Sequence, residues 1–150
     1  MKKARKRRDT AKFKTLQDAR LAKAYFRAVM NFTLGPVELR RRLQLGDVLN
    51  IVDVRRNSSF CEAHIPGAFS LPREAWESAE GLSKDRINVI YCGSQNCHLA
   101  PEACLYYAGL GYPVMHLDGG MEAWQAAGFD VETIPAMVEE PAQQDSVQAA

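Results

Sequence analysis

A chain of 150 residues with 47% hydrophobic and 25% charged side chains can bury one core beneath a charged surface, so one compact domain with extensions is expected and no second domain is required. No run of about 18 apolar residues occurs, and the basic N-terminus is not followed by an apolar stretch; neither a membrane span nor a secretory signal is supported, and a cytoplasmic protein is expected. The net charge of +1 conceals an asymmetry, because residues 1–42 carry 14 Lys and Arg against 3 Asp and Glu, whereas residues 43–150 carry 5 against 15.

Residues 1–10 open with six basic side chains among the first eight and read as a disordered, solvated tail. Contact with an anionic partner is the functional alternative, with nucleic acid disfavoured. A mitochondrial presequence is disfavoured too, since the segment has almost no serine. Over residues 11–33, Leu21, Tyr25, Ala28 and Phe32 fall on one helical stripe with basic residues between them. The pattern predicts an amphipathic helix that packs on the domain or on a protein partner. Gly35-Pro36 stops it, and Pro36 suits the first turn of a second helix, Val37 to Leu45, ended by Gly46.

Val48 to Val54 reads as a buried strand, Trp76 lies on a short helix or turn, and Ile87 to Tyr91 reads as a central strand. Leu99, Ala103, Tyr106 and Leu110 share the next helical stripe, with Pro101 harmless in its first turn and Gly111 as its stop. Val114 to Leu117 is a third short strand, and Met121 to Ala127 a last helix closed by Gly128. Strands alternating with helices over residues 34–130 imply an α/β domain whose parallel sheet is covered on both faces. Residues 131–150, acidic and rich in Ala, Gln and Pro, read as a disordered tail.

Cys92 is the most informative residue. It ends the apolar run Ile87-Asn88-Val89-Ile90-Tyr91, and the polar run Gly93-Ser94-Gln95-Asn96-Cys97-His98 leads from it into a helix. N–H groups of a tight loop and a helix N-terminus converge on such a position and lower a thiol pKa from about 8.5 toward neutrality. The plainer alternative is a half-buried core cysteine. With Cys61, Cys97 and Cys104 it makes four cysteines, expected as free thiols in an intracellular chain. The spacing from Cys92 to Cys97 is too long for a zinc knuckle, and no second pair of ligands accompanies it.

The stretch Ile51-Val52-Asp53-Val54-Arg55, followed by Ala63-His64-Ile65-Pro66-Gly67-Ala68 and Leu71-Pro72, resembles the N-terminal signature of rhodanese domains. Val89-Ile90-Tyr91-Cys92, Leu110-Gly111-Tyr112 and Leu117-Asp118-Gly119-Gly120-Met121-Glu122-Ala123-Trp124 are similar to that family's active-site and C-terminal motifs. The resemblance implies a rhodanese-like α/β domain with a central, mostly parallel five-stranded sheet and Cys92 as the active-site cysteine. It further implies a sulfurtransferase, in which the Cys92 thiolate takes a sulfane sulfur from thiosulfate or a persulfide donor and passes it to cyanide, a thiol or a protein acceptor. Amides of Gly93 to His98 would cradle the persulfide, with no metal or organic cofactor.

The loop departs from the family pattern. Cys97 stands where an arginine is common, and Gln95 where a glycine is. Loss of that arginine removes a fixed donor for an anion and favours a persulfide over thiosulfate. His98 occupies the arginine position of related phosphatases and arsenate reductases, which argues against those activities. Asp53 either supports the loop or pairs with Arg55 to fix the following turn. His64 reads as a turn-fixing histidine rather than a catalytic base, and His98 flanks the site or faces solvent. Trp76, His116, Trp124 and the Gly119-Gly120 pair read as structural, Cys104 as buried, and Cys61 as a bystander. Cys97 either fills space or gives the site a redox response, with reach to Cys92 as the limiting issue. The competing function is a non-catalytic or redox-regulated binding module whose basic N-terminal helix docks a partner.

Overall fold

A computed structural model describes residues 16–135. The expected tails, apart from residues 131–135, and the first residues of the N-terminal helix lie outside that range. Helix α1 spans Leu16–Phe32 and runs directly into a two-residue strand, β1 (Thr33–Leu34). The Thr33 hydroxyl donates to the Val29 carbonyl at 2.7 Å and closes the last turn. Gly35 then precedes α2 (Pro36–Gln44), with Pro36 in the first turn as expected.

The remaining order is β2 (Asn50–Asp53), α3 (Asn57–Glu62), β3 (Phe69–Ser70), a 3-10 helix (Arg73–Ser78), β4 (Asn88–Tyr91), α4 (Leu99–Gly109), β5 (Val114–Leu117) and α5 (Gly120–Ala126). All five strands are parallel, in the order β1-β5-β4-β2-β3. The fold is therefore the rhodanese-like α/β sheet expected, wholly rather than mostly parallel.

Side chains of successive strand residues point to opposite faces, and here that alternation sorts the core into two layers. Ile51, Val89 and Tyr91 meet Leu39 of α2 with Met121 and Trp124 of α5. Val52, Ile90 and Cys92 meet Trp76, Ala103 and Tyr107 on the other side. Burying one such Leu or Ile contributes about 1.5–3 kcal/mol, so the run that reads as a central strand is also where the two layers are joined. At the opposite end of β4, buried Asn88 donates to the Ser83 and Pro113 carbonyls at 2.7 and 2.9 Å and accepts from Asn50 at 2.8 Å. No hydrogen-bonding group of that side chain is left orphaned.

The apolar stripe of α1 does not pack on the domain: Leu21 is 65% exposed, Tyr25 63% and Phe32 59%. No described helix is long and apolar enough to cross a membrane.

Candidate active site

The register Asp53↔Tyr91 places the C-terminal ends of β2 and β4 side by side, and Cys92 follows at once. Ligand sites in parallel sheets lie outside these carboxyl ends. The chain turns immediately after Cys92: the Cys97 N–H donates to the Ser94 carbonyl at 3.1 Å, and α4 begins two residues further on. The loop thereby wraps the Cys92 sulfur.

Cys92 is fully buried, whereas Cys97 is half-buried and Gln95, Asn96 and His98 are exposed. The Cys92 thiol lies 3.3 Å from the Cys97 carbonyl oxygen and 3.7 Å from that of Ser94. The Cys97 side chain packs against the cluster that holds Cys92, and each thiol shifts the pKa of the other. Both cysteines are free, as are Cys61 and Cys104.

The expected depression of the Cys92 pKa is not found. Burial and the hydrogen bond with Cys97 push the thiol up to about 11, although the N–H groups of Ala100 and Ser94 pull it down. The loop amides are visible in the sequence, but the enclosure that removes the sulfur from solvent is a tertiary feature. Cys97 behaves oppositely. Burial is the largest single influence and raises it, but the Cys92 thiol and the N–H groups of Leu99 and Gly93 together outweigh it and lower the pKa. The two thiols titrate as a pair: the first proton is lost from Cys97, and the remaining one is held on Cys92.

The cradle is also differently composed from the expectation. Ser94 and Ala100 contribute the N–H groups that act on Cys92, whereas those of Gly93 and Leu99 act on Cys97. His98 is the residue preceding α4 and makes no side-chain capping bond.

The loop is fixed from below by α5. Met121 N–H donates to the Cys92 carbonyl and Glu122 N–H to the Gly93 carbonyl, both at 2.9 Å. This requires Gly120, which has a φ of 58° and no room for a Cβ against the Cys92 carbonyl. Sequence reasoning read the Gly119-Gly120 pair only as a turn. A second glycine after an Asp-Gly turn was the available signal, but its contact partner lies 28 positions earlier and is not visible in local pattern.

Asp53 and Arg55 sit beside the site without touching the sulfur. The buried Asp53 carboxylate accepts Arg55 Nε at 3.0 Å, Nη2 at 2.7 Å and the Arg55 backbone N–H at 2.9 Å. Burial alone would lower the Arg55 pKa, and Asp53 more than offsets it, so the net shift is upward. Arg55 also donates to the Ala63 carbonyl at 2.6 Å and lies over the Tyr91 ring at 5.7 Å. Of the two alternatives for Asp53, the geometry has the pairing that fixes the turn. His64 Nδ1 lies 2.8 Å from the Phe60 carbonyl, and the ring stacks on Phe60 at 3.9 Å. The His64 backbone pairs with Glu132, which ties residues 131–135 to the domain where a disordered tail was expected.

Two further arginines share a pocket with Leu99, the first residue of α4. Arg56 and Arg73 line a pocket of about 180 Å³ with Val54, Pro72, Glu74 and Leu99. Arg73 is held by Glu102 at 2.7 Å, whereas Arg56 is exposed and forms no salt bridge among the described residues. No group of three or more His, Cys, Asp or Glu that could hold a metal occurs among the described residues.

Comparison with known proteins places this geometry. The model of the rhodanese-like domain matches residues 35–127. Thiosulfate sulfurtransferase GlpE of Shewanella oneidensis is 38% identical over 85 residues, 53% of this chain and 78% of that protein. A sulfurtransferase of Allochromatium vinosum is 33% identical over 95 residues, 62% of this chain and 87% of its own. An HTH-type transcriptional regulator of Mycobacterium tuberculosis is 38% identical over 96 residues, 63% of this chain, and the matched region spans only 42% of that longer protein. Among solved structures, a protein of Bacillus halodurans superposes with a TM-score of 0.69 at 28% identity, covering 77% of this chain and 86% of its own.

Proposed function

The chain belongs to the rhodanese-like domain family, and from that premise we propose that it transfers a sulfane sulfur through a persulfide on Cys92. The observation that carries this reading is the sulfur of Cys92 at the end of β4, enclosed by a loop whose Ser94 and Ala100 N–H groups are directed at it. Those donors have little effect on a buried neutral thiol. Their stabilisation is felt when charge appears, in the transition state and in the anionic persulfide.

The sequence of steps follows from the proton shared by the pair. Cys97 takes the Cys92 proton, and the Cys92 thiolate attacks the sulfane sulfur of the donor. The donor's remaining half leaves as a thiolate, or as sulfite if the donor is thiosulfate. A thiophilic acceptor then attacks the outer sulfur of the persulfide, the Cys92 thiolate leaves, and the proton returns from Cys97. Arg55 is positioning in this scheme, because its guanidinium is spent on Asp53 and the Ala63 carbonyl.

We take the pocket of Arg56 and Arg73 as the donor's entrance. Glu102 already pairs with Arg73, and Glu74 shares the pocket, so among the described residues lining it a doubly charged anion finds Arg56 alone uncompensated. A singly charged or protein-borne persulfide suits this entrance better than thiosulfate. The proposal is tested by incubating reduced protein with a persulfide donor carrying radiolabelled outer sulfur. With cyanide present from the start, the label should appear in thiocyanate at a rate proportional to the protein, and Cys92→Ser should give only the protein-free background.

A further inference from the structure

Cys97 is the residue that this reading uses least and the structure prepares most. It is a second nucleophile in the same loop, half-buried where Cys92 is fully buried. It packs against the cluster that contains Cys92. Its carbonyl is 3.3 Å from the Cys92 sulfur, and each thiol shifts the pKa of the other. The turn from Ser94 to Cys97 draws the chain inward, so residue 97 lies against the Cys92 sulfur instead of at the far rim. The backbone of residue 97 is therefore already in contact with the sulfur that its thiol would attack.

We propose that Cys97 is a resolving nucleophile that attacks the inner sulfur of the Cys92 persulfide, forming a Cys92–Cys97 disulfide and releasing hydrosulfide. This rests on Cys92 persulfide formation as read above and adds a second outcome for that intermediate. The step balances: the Cys92 perthiolate and the Cys97 thiol become one disulfide and one HS⁻, with the Cys97 proton leaving on the hydrosulfide. One S–S bond breaks between the inner and outer sulfurs, and one forms between the two cysteines. The outer sulfane sulfur is reduced to sulfide, and the two cysteine sulfurs supply the electrons. A dithiol reductant then attacks the disulfide and returns both thiols. The chain thus has two modes. With a thiophilic acceptor present it transfers sulfur; without one it converts a sulfane sulfur and a dithiol into hydrogen sulfide and a disulfide.

The shared proton favours this division. Once Cys92 has reacted, Cys97 holds the proton and lies against a persulfide whose inner sulfur is fixed in the loop, with the N–H groups of Leu99 and Gly93 directed at the Cys97 sulfur. Those donors stabilise the Cys97 thiolate as it forms for attack.

The test is a single turnover without any acceptor thiol. Reduced protein is loaded with cysteine hydropersulfide, desalted within seconds, and followed by intact mass and by a sulfide assay against a protein-free blank. The proposal expects one equivalent of sulfide per chain, a wild-type mass about 2 Da below the reduced form, and a crosslinked Cys92–Cys97 peptide. Cys97→Ser and Cys97→Ala load more slowly because they lack the Cys97 proton acceptor; once loaded to completion, both should release no sulfide and keep a mass about 32 Da above the reduced form, the mass of one sulfur atom. If wild type holds the added sulfur as long as both variants do, Cys97 does not resolve the persulfide, and the transfer reading stands without it. If the added sulfur migrates to Cys97 with no sulfide released, attack is on the outer sulfur and the proposal is overturned. If no chain gains sulfur or releases sulfide, the Cys92 persulfide itself is refuted, and the resolving step with it.

Discussion

Gly120 lies flat against the carbonyl group of Cys92, so that a side chain at position 120 would collide with the oxygen and come within 3.0 Å of the carbonyl carbon. The contact joins the start of α5 to the end of β4 and lets the Met121 N–H reach the same oxygen at 2.9 Å. The position of the candidate nucleophile is thus set by a residue with no chemistry of its own.

Gly120→Ala should therefore damage both the fold and the reaction. A non-glycine residue in the left-handed region costs about 1–3 kcal/mol, and the clash with backbone adds to it. Displacing the loop by about 1 Å should reduce sulfur transfer on the order of 100-fold. A urea melt beside a transfer assay checks this. Unchanged transfer in a variant of unchanged stability would mean that α5 does not position Cys92.

Arg55→Ala should destabilise the chain by about 3–5 kcal/mol, because it leaves the fully buried Asp53 carboxylate without its partner. The loss should appear in the denaturation midpoint. The KM for a small donor should stay close to wild type in the fraction that remains folded. A variant with full stability and a KM raised tenfold would instead place Arg55 in contact with the donor.

Glu102→Gln releases Arg73 in the pocket taken as the donor's entrance. Both side chains are at least half exposed, so stability should change by less than about 1 kcal/mol. The KM for thiosulfate should fall by a factor of about 2–5, with a smaller change for a persulfide donor, on the ordinary strength of an exposed charge. Equal changes for the two donors would remove the charge argument for donor choice.

Stability should decline in alkali. Folding raises the Cys92 pKa to about 11 and the Cys104 pKa to about 12, mainly through burial, against 9.0 for an unburied thiol. Between those values the unfolded chain loses protons that the folded chain keeps. Unfolding therefore becomes easier as pH rises through 9, and this contribution is constant below it. Urea midpoints at about pH 8 and about pH 10.5 should differ less in Cys104→Ala than in wild type. An equal difference would show that the buried thiols do not carry the effect.

Alkylation should follow the shared proton. At about pH 8, iodoacetamide should modify Cys97 at least about tenfold faster than Cys92, because the former is half-buried with a lowered pKa and the latter is enclosed with a raised one. Peptide mapping after brief labelling gives the order, and Cys92 labelled first would reverse the proton assignment.

The sequence is most transparent where one local pattern repeats. Val114–Leu117 is a strand with the bounds read from its residues, and the layered alternation through Val89, Ile90 and Tyr91 was present in their apolar run. Thr33–Leu34 and Phe69–Ser70 were not legible as strands, because two residues have no period and their identity comes from pairing with β5 and β2. Helix α3 was missed for a similar reason: Phe60 is its one buried residue, and a single apolar position makes no stripe. In the site, a cysteine between a strand and a loop pointed to the thiol. The direction of its pKa did not follow, since that depends on enclosure by Ala100 and Cys97 after the loop has closed. The contact between Gly120 and Cys92 is of the same kind, a tertiary fit between positions far apart in the chain.

The central claim is that sulfur passes through Cys92, and cyanide gives the most direct measurement of it. Purified wild-type protein supplied with a persulfide donor and cyanide should produce thiocyanate at a rate proportional to protein concentration, and Cys92→Ser should fall to the uncatalysed background. Cys97→Ser should retain thiocyanate formation at a lower rate, since cyanide attacks the outer sulfur and needs no resolving thiol. Thiocyanate formed by Cys92→Ser at the wild-type rate would contradict the account.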